Sequence, residues 1–478
     1  MTSKGGRAAK IWKRVGMDML PFADVASEKV PLDRFLRLSL FQMSVGMAVV
    51  LLTGTLNRVM IVELGVPAWL VAVMVALPLF FAPLRALIGF RSDVYESVLG
   101  WKRVPFIWMG TLLQFGGLAI MPFALLILSG DTQGPIWYGT AAAALAFLLV
   151  GAGLHTTQTA GIALATDLAT EEARPRVVAL LFVMLLIGMF LSSLVFGLLL
   201  RDFSQLRLIE LIQGAAVVTM VLNLWALWKQ EPRVRRKPTA DAAEKPRFID
   251  QWRTLQKDRA ARRLLIAVGL GTAAFAMQDI LLEPFGAEVL GLSVGGTTFL
   301  TALLAGGMLL AFVVAARKLG RGMDRHRLAG YGVLIGVCGF AVVSLVGMVH
   351  ATWLFAAGVA LIGFGNGYFA VGTLTASMAL SKHGNHGFVI GAWGAVQATA
   401  AGLAVAIGGA LRDIFAGLAE SGALGAALSG PAAGYTFVYQ IEILMLFATL
   451  IVIGPLASFV RSKNQMDSGK IGLAEFPN

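Results

Sequence analysis

Long apolar stretches alternate with short polar segments along nearly the whole chain. Each stretch has about 20 residues or more, the length an α-helix needs to cross the ~30 Å hydrocarbon core of a bilayer. The pattern predicts an all-α polytopic membrane protein with about twelve transmembrane helices. We number these spans one to twelve; they lie at 36–57, 67–88, 104–129, 136–164, 177–200, 206–228, 264–287, 294–316, 328–349, 351–380, 387–411 and 435–460.

The charge of the connections alternates along the chain. Lys and Arg are concentrated in the N-terminal arm and in the connections between spans two and three and between spans eight and nine. The connections between spans three and four and between spans nine and ten contain no Lys or Arg. Because cytoplasmic loops carry the excess of cations, we expect both termini in the cytoplasm.

One long polar connection divides the spans into two sets of six. It covers residues 229–263, holds twelve Lys or Arg and is typical of a solvated linker. The predicted organisation is a cytoplasmic arm at 1–34 with an interfacial helix, a first half at 35–228, the cytoplasmic linker, a second half at 264–460 and a cytoplasmic tail at 461–478.

The two halves share a short motif at equivalent connections. Gly89 and Asp93 follow span two, and Gly320 and Asp324 follow span eight, so both connections read G-x-x-x-D with basic residues nearby. Two six-helix halves joined by a cytoplasmic loop describe the major facilitator fold. We expect the motif residues to have a structural or gating role; they are Arg91, Asp93, Lys102, Arg103, Asp324, Arg325 and Arg327.

Composition excludes several classes of protein. Hydrophobic residues make up 57% of the chain and charged residues 14%, too few to cover the surface of a soluble protein. The net charge of +12 lies in loops between spans, where it suits anionic lipid headgroups rather than nucleic acid. No nucleotide-binding loop, metalloprotease motif or nucleophile elbow with a plausible triad is present, so an enzyme and a metal site are not expected.

Some charged residues lie at membrane depth, where charges are costly and mark functional sites. Arg58 and Glu63 lie at the outer end of span one, and Asp279 and Glu283 are four residues apart on one face of span seven. Because spans one and seven are equivalent in the two halves, Arg58 can pair with either acid and close the outer side of the bundle. Alternatively, these charged side chains lie at the outer interface among water and headgroups.

His155 is the only histidine well inside a long apolar span. Gly151 and Gly153 precede it, and Gln158 follows about one turn later. Neutral imidazole is a good axial ligand for the magnesium of a chlorophyll-type macrocycle, and glycines leave room for a flat ring. Alternatively, His155 forms a hydrogen bond to a neighbouring helix.

Several short stretches are similar to the PucC/LhaA family, the bacteriochlorophyll-delivery proteins of the major facilitator superfamily. The resemblance is closest over residues 20–200 and extends to about 460. The stretches are Phe35–Gln42, Thr55–Met60, Glu63–Pro67, Arg85–Ala86, Gly89–Asp93, Gly100–Pro105, Ala165–Ala169 and Arg174–Arg176.

This resemblance implies an assembly factor in the inner, intracytoplasmic photosynthetic membrane of a purple bacterium. Such a protein would supply bacteriochlorophyll to light-harvesting antenna polypeptides, or hold these polypeptides during ring growth, with the reaction-centre complex as a further partner. A scaffold that never contacts pigment is a variant of this hypothesis. The alternative is a secondary transporter that moves a small solute or ion by alternating access.

Overall fold

The computed structural model is helical, and the part of the chain that it describes contains no β-strand. Eleven helices in that part are long and apolar enough to cross a membrane. The predicted all-α polytopic architecture is therefore confirmed. The described residues are 31–78, 88, 92, 101–130, 135–170, 173–231, 253, 257–349, 351–380, 386–423, 425 and 430–469.

Most helices begin and end within a few residues of the predicted spans, but spans eleven and twelve each continue nine residues further. Span two is described over Ala68–Ala76. The other spans are Leu32–Glu63, Val104–Leu128, Ile136–Leu168, Arg174–Leu199, Gln205–Leu227, Arg259–Glu288, Val294–Gly320, Arg325–Val349, Thr352–Leu380, His386–Glu420 and Ala433–Gly469. The predicted interfacial helix of the arm, Arg91, Asp93 and most of the linker lie outside the described residues.

The chain forms two compact units whose segments interleave in sequence. Unit 1 consists of Met1–Leu51, Pro83–Val195 and Ser204–Lys237, and unit 2 consists of Leu52–Ala82, Phe196–Phe203 and Pro238–Asn478. Span one therefore changes unit within its own length, after Leu51. These units differ from the two predicted halves at 35–228 and 264–460. The division into halves at the linker stays a prediction.

Unit 1 is built on close contact between spans three and four. Gly110 faces Gly153 and Thr157, and Gly117 faces the backbone at Val150, so any larger side chain at these glycines would meet the opposite helix. In the same unit the Ser44 hydroxyl donates to Asn223, as membrane helices commonly do across their interfaces.

Unit 2 packs span ten against spans eight and nine, and span seven against spans eleven and twelve. Gly363 of span ten lies against the backbone of Leu304, and Gly365 lies against Gly332 and Gly336. Small residues allow such close approach of membrane helices. The glycines of span ten thus face internal helices.

Candidate functional site

Span seven is broken in its middle, and the break has a local cause. The helix ends at Ala276, a 3₁₀ turn covers Met277–Ile280, and a second helix covers Leu282–Glu288. Pro284 has no N–H, so it cannot bond to the carbonyl four residues earlier, which is that of Ile280. The Asn57 side chain donates to this carbonyl at 2.8 Å, which satisfies the buried backbone group.

Arg58, which is 4% exposed, forms an ion pair with Glu63. The end of span one is π-helical over Val59–Glu63, and π-helical geometry brings residues five apart in sequence together. Neither of the predicted pairs, Arg58 with Asp279 or with Glu283, is an ion pair within 4 Å among the described residues. Arg58 is nevertheless close enough to Glu283 to interact with it electrostatically, so the inter-half pairing stays a prediction.

The two acids of span seven have separate neighbours. Glu283 is buried and accepts a hydrogen bond from Thr301 at 2.5 Å, and Asp279 accepts one from Gln278 at 2.6 Å. Because the 3₁₀ turn and the start of the next helix separate Asp279 from Glu283, the regular α-helical spacing assumed from the sequence does not apply.

A charged network in unit 2 joins spans two, seven, eleven and twelve. Arg412 donates to Glu288 at 2.5 Å and to Asp413 at 2.8 Å, and the Tyr435 hydroxyl donates to Glu288 at 2.7 Å. Asp413 also accepts the backbone N–H of Trp69 at 2.7 Å, at the start of span two. A carboxylate is favourable at a helix N-terminus, so Asp413 fixes span eleven to span two.

His155 lies in the core of unit 1 and is 6% exposed. Gln158, one turn further on, is also buried, and its side-chain amide is 3.4 Å from that of Gln42 in span one. The Thr159 hydroxyl donates to the backbone carbonyl of His155 at 2.7 Å. The structure thus buries the imidazole in a helix that also carries buried polar side chains.

The glycines beside His155 are packed rather than open. Gly151 is buried, and a methyl group on Gly153 would lie 2.8 Å from Cγ of Gln114 in span three. Span three therefore fills the space at Gly153 that was expected to admit a flat ring. A macrocycle can approach from that side only after spans three and four separate. Pigment ligation by His155 stays a prediction.

A carboxylate caps the start of span three in unit 1. Glu231 accepts the backbone N–H groups of Lys102 at 2.8 Å, Arg103 at 3.1 Å and Val104 at 2.9 Å. Arg103 also pairs with Asp167 at 3.2 Å. These contacts satisfy N–H groups that a helix start leaves without partners, so they fix this end of the span.

Asp324 has the same local chemistry at the start of span nine in unit 2. Its carboxylate accepts the backbone N–H groups of His326 at 3.0 Å and Arg327 at 2.9 Å. Arg325 is the first residue of that helix. A gating role for this motif stays a prediction.

Sequence reasoning did not single out Glu288, Arg412, Asp413 or Glu442. Span eleven was predicted to end at residue 411, whereas the helix continues to Glu420 and carries Arg412 and Asp413 within it. Glu442 had a readable signal, because it is the only Asp, Glu, Lys or Arg between residues 433 and 457. A lone carboxyl group deep in an apolar span is costly and marks a candidate site.

Comparison with known protein families shows which family the chain belongs to. The family model of the PUCC protein matches residues 55–460. The chain belongs to the PucC family. This family takes part in light-harvesting complex assembly, so the main functional prediction is confirmed, and small-solute transport is not better supported.

Individual relatives and a solved structure agree with this assignment. A Rhodobacter capsulatus protein, called an uncharacterized protein in the puhA-bchM intergenic region, is 55% identical over 97% of this chain and 98% of its own length. Protein PucC of Rhodovulum sulfidophilum is 54% identical over 84% of this chain and 89% of its own. The nucleoside transporter NupG is similar in fold, with a TM-score of 0.61 at 15% identity over 88% of this chain and 98% of that structure. The major facilitator fold is thus confirmed.

Proposed function

We propose that this PucC-family protein is a non-catalytic carrier that delivers bacteriochlorophyll to antenna polypeptides inside the bilayer. The family match over residues 55–460 carries the proposal. Its membrane is the intracytoplasmic photosynthetic membrane, with both termini in the cytoplasm. Its partners are the antenna polypeptides, the reaction-centre complex and anionic lipids.

Exposed side chains along the spans support lateral contact with other membrane helices. Large apolar side chains are more than half exposed on several spans, for example Leu198, Trp225, Trp353 and Ile451. In a bilayer such surfaces face lipid or partner helices, and packing of complementary surfaces drives association there. An antenna polypeptide with one transmembrane helix can bind such a face without entering a hydrated cavity.

The cargo proposal is tested by gentle purification from a host that makes bacteriochlorophyll. The protein should copurify with antenna polypeptides and show bacteriochlorophyll absorption, and its deletion should reduce assembled antenna while pigment synthesis continues. Copurification of antenna polypeptides without pigment would instead favour a scaffold. Solute uptake into proteoliposomes, without either partner, would favour the transporter alternative.

His155 is the proposed magnesium ligand of the cargo. Its support is a buried imidazole in a membrane span, which can supply a ligand without bringing charge into the bilayer. His155→Phe should keep normal abundance but copurify with several-fold less bacteriochlorophyll and support less antenna. Thr156→Val, which removes the neighbouring hydroxyl that bonds to Ala152, is the matched control and should retain pigment. Equal pigment in both variants would show that His155 only packs between helices.

A further inference from the structure

Glu442 of span twelve is buried and has no counter-charge paired with it among the described residues. Its side chain is 0% exposed, and neither carboxyl oxygen has a hydrogen-bond partner. A buried carboxylate without hydrogen bonds or a counter-charge is highly unfavourable, so an apolar span does not retain one for packing alone. This site is separate from the His155 region, which belongs to unit 1.

The group faces the broken turn of span seven. Span twelve packs against this turn, Asp279 lies close enough to Glu442 to interact electrostatically, and the backbone N–H of Gln278 points toward the same carboxyl group. The side-chain oxygen of Gln278, a residue that is 1% exposed, also lacks a hydrogen-bond partner. The carboxyl groups of Glu442 and Asp279 therefore lie near each other where the helix is interrupted, and the Gln278 amide lies beside Asp279.

The surrounding charged groups do not neutralise this cluster. Among the described residues, no Lys, Arg or His lies within 4 Å of Asp279 or Glu442 as an ion-pair partner. Span eleven contributes Arg412, which is already paired with Glu288 and Asp413, and span nine carries no charged residue between 328 and 349. The other titratable group beside Glu442 is Tyr439, one turn earlier on the same helix.

The two carboxyl groups and the Gln278 amide offer oxygen atoms, which are the ligands that hard cations prefer. A broken membrane helix is also the usual means of exposing backbone carbonyls to a small cation. We propose that Glu442 and Asp279 form a monovalent-cation site at the broken turn of span seven, filled by H⁺ or Na⁺. The cation supplies the positive charge that the two acids lack, and it stabilises the interrupted conformation of the span.

Ligand-dependent stability tests the proposal, because a ligand that binds only the folded state raises the melting temperature. The full-length protein in lipid nanodiscs is melted in NaCl and in choline chloride at equal ionic strength, over a series of pH values. If Na⁺ binds, the wild type melts at higher temperature in NaCl than in choline chloride. If H⁺ binds, the difference in melting temperature between wild type and Glu442→Gln changes with pH, and the infrared band of a protonated carboxylic acid is lost in the variant.

Matched variants separate this site from the other acids. Glu442→Gln keeps the shape of the side chain without its charge, and Asp279→Asn is a second variant for the same purpose. Each variant should lower the apparent affinity for Na⁺ or H⁺, measured from the dependence of the melting temperature on Na⁺ or pH, at least tenfold. Glu63→Gln, at a partly exposed acid paired with Arg58, should retain the wild-type dependence. The same response in the wild type and in all three variants, or no response in the wild type, would overturn the proposal.

Discussion

At the scale of single residues, burial and partners decide what a charge at membrane depth does. Arg58 is buried, but its partner Glu63 has a side chain that is 37% exposed, so the pair is partly screened by its surroundings. Glu442 is in the opposite situation, because it is fully buried and has no counter-charge. Residue type alone does not distinguish these two environments.

We expect a coupling free energy of about 1 kcal/mol between Arg58→Met and Glu63→Gln, the upper end for a partly exposed pair. The measurement is a double-mutant cycle of unfolding free energies in mixed micelles. The cycle of Arg58→Met with Asp279→Asn is the control and should give a coupling near zero. A larger coupling with Asp279 than with Glu63 would support the inter-half pair predicted from the sequence.

At the scale of elements, glycine positions control how closely the helices of unit 2 approach. A methyl group on Gly363 would lie 2.9 Å from the backbone carbonyl carbon of Leu304 and 3.0 Å from its Cα, so a backbone would have to move. A methyl group on Gly394 of span eleven would have no neighbouring atom within 4 Å outside its own helix turn. The two glycines look alike in the sequence but have different packing.

Gly363→Ala should therefore destabilise the protein by about 1–3 kcal/mol through overpacking. Gly394→Ala, the matched control, should be neutral or stabilising by up to about 1 kcal/mol, because alanine favours a helix interior over glycine. Melting temperature and membrane abundance of the two variants check this prediction. Equal losses of stability in both variants would mean that the contact between Gly363 and Leu304 is not tight.

At the scale of the whole molecule, orientation in the membrane follows from the loop charges. Lys and Arg are abundant in the arm, in the linker and between spans eight and nine, and are absent between spans nine and ten. The major facilitator fold, which is confirmed, is compatible with this topology. The side on which each loop lies stays a prediction.

A reporter that works only in the cytoplasm should be active when fused at Ala240, within the linker, and a reporter that works only in the periplasm should be inactive there. A fusion in the connection between spans nine and ten should show the opposite result. The physical reason is that translocation of a short, strongly basic segment is disfavoured. A periplasmic reporter at Ala240 would contradict both the topology and the two-half organisation.

The sequence by itself determined the class of protein, most span positions and the family. Hydrophobic length is a local property, since each span must cover the bilayer core with its own apolar residues. Capping is local too, so Asp324 could be expected at the start of a helix before any contact was known. The motifs that carry the family resemblance are likewise contiguous in the chain.

Only the tertiary structure decided which polar groups meet. Asn57 and Ile280 are 223 residues apart and Arg412 and Glu288 are 124 apart, so no local pattern reports these contacts. The partner of Arg58 also depended on the fold, because π-helical turns and the break at Pro284 change which side chains share a face. Burial is also decided by the fold. In the sequence Glu442 is one carboxyl in an apolar stretch, and it becomes a candidate cation ligand because the packed helices bury it without a counter-charge.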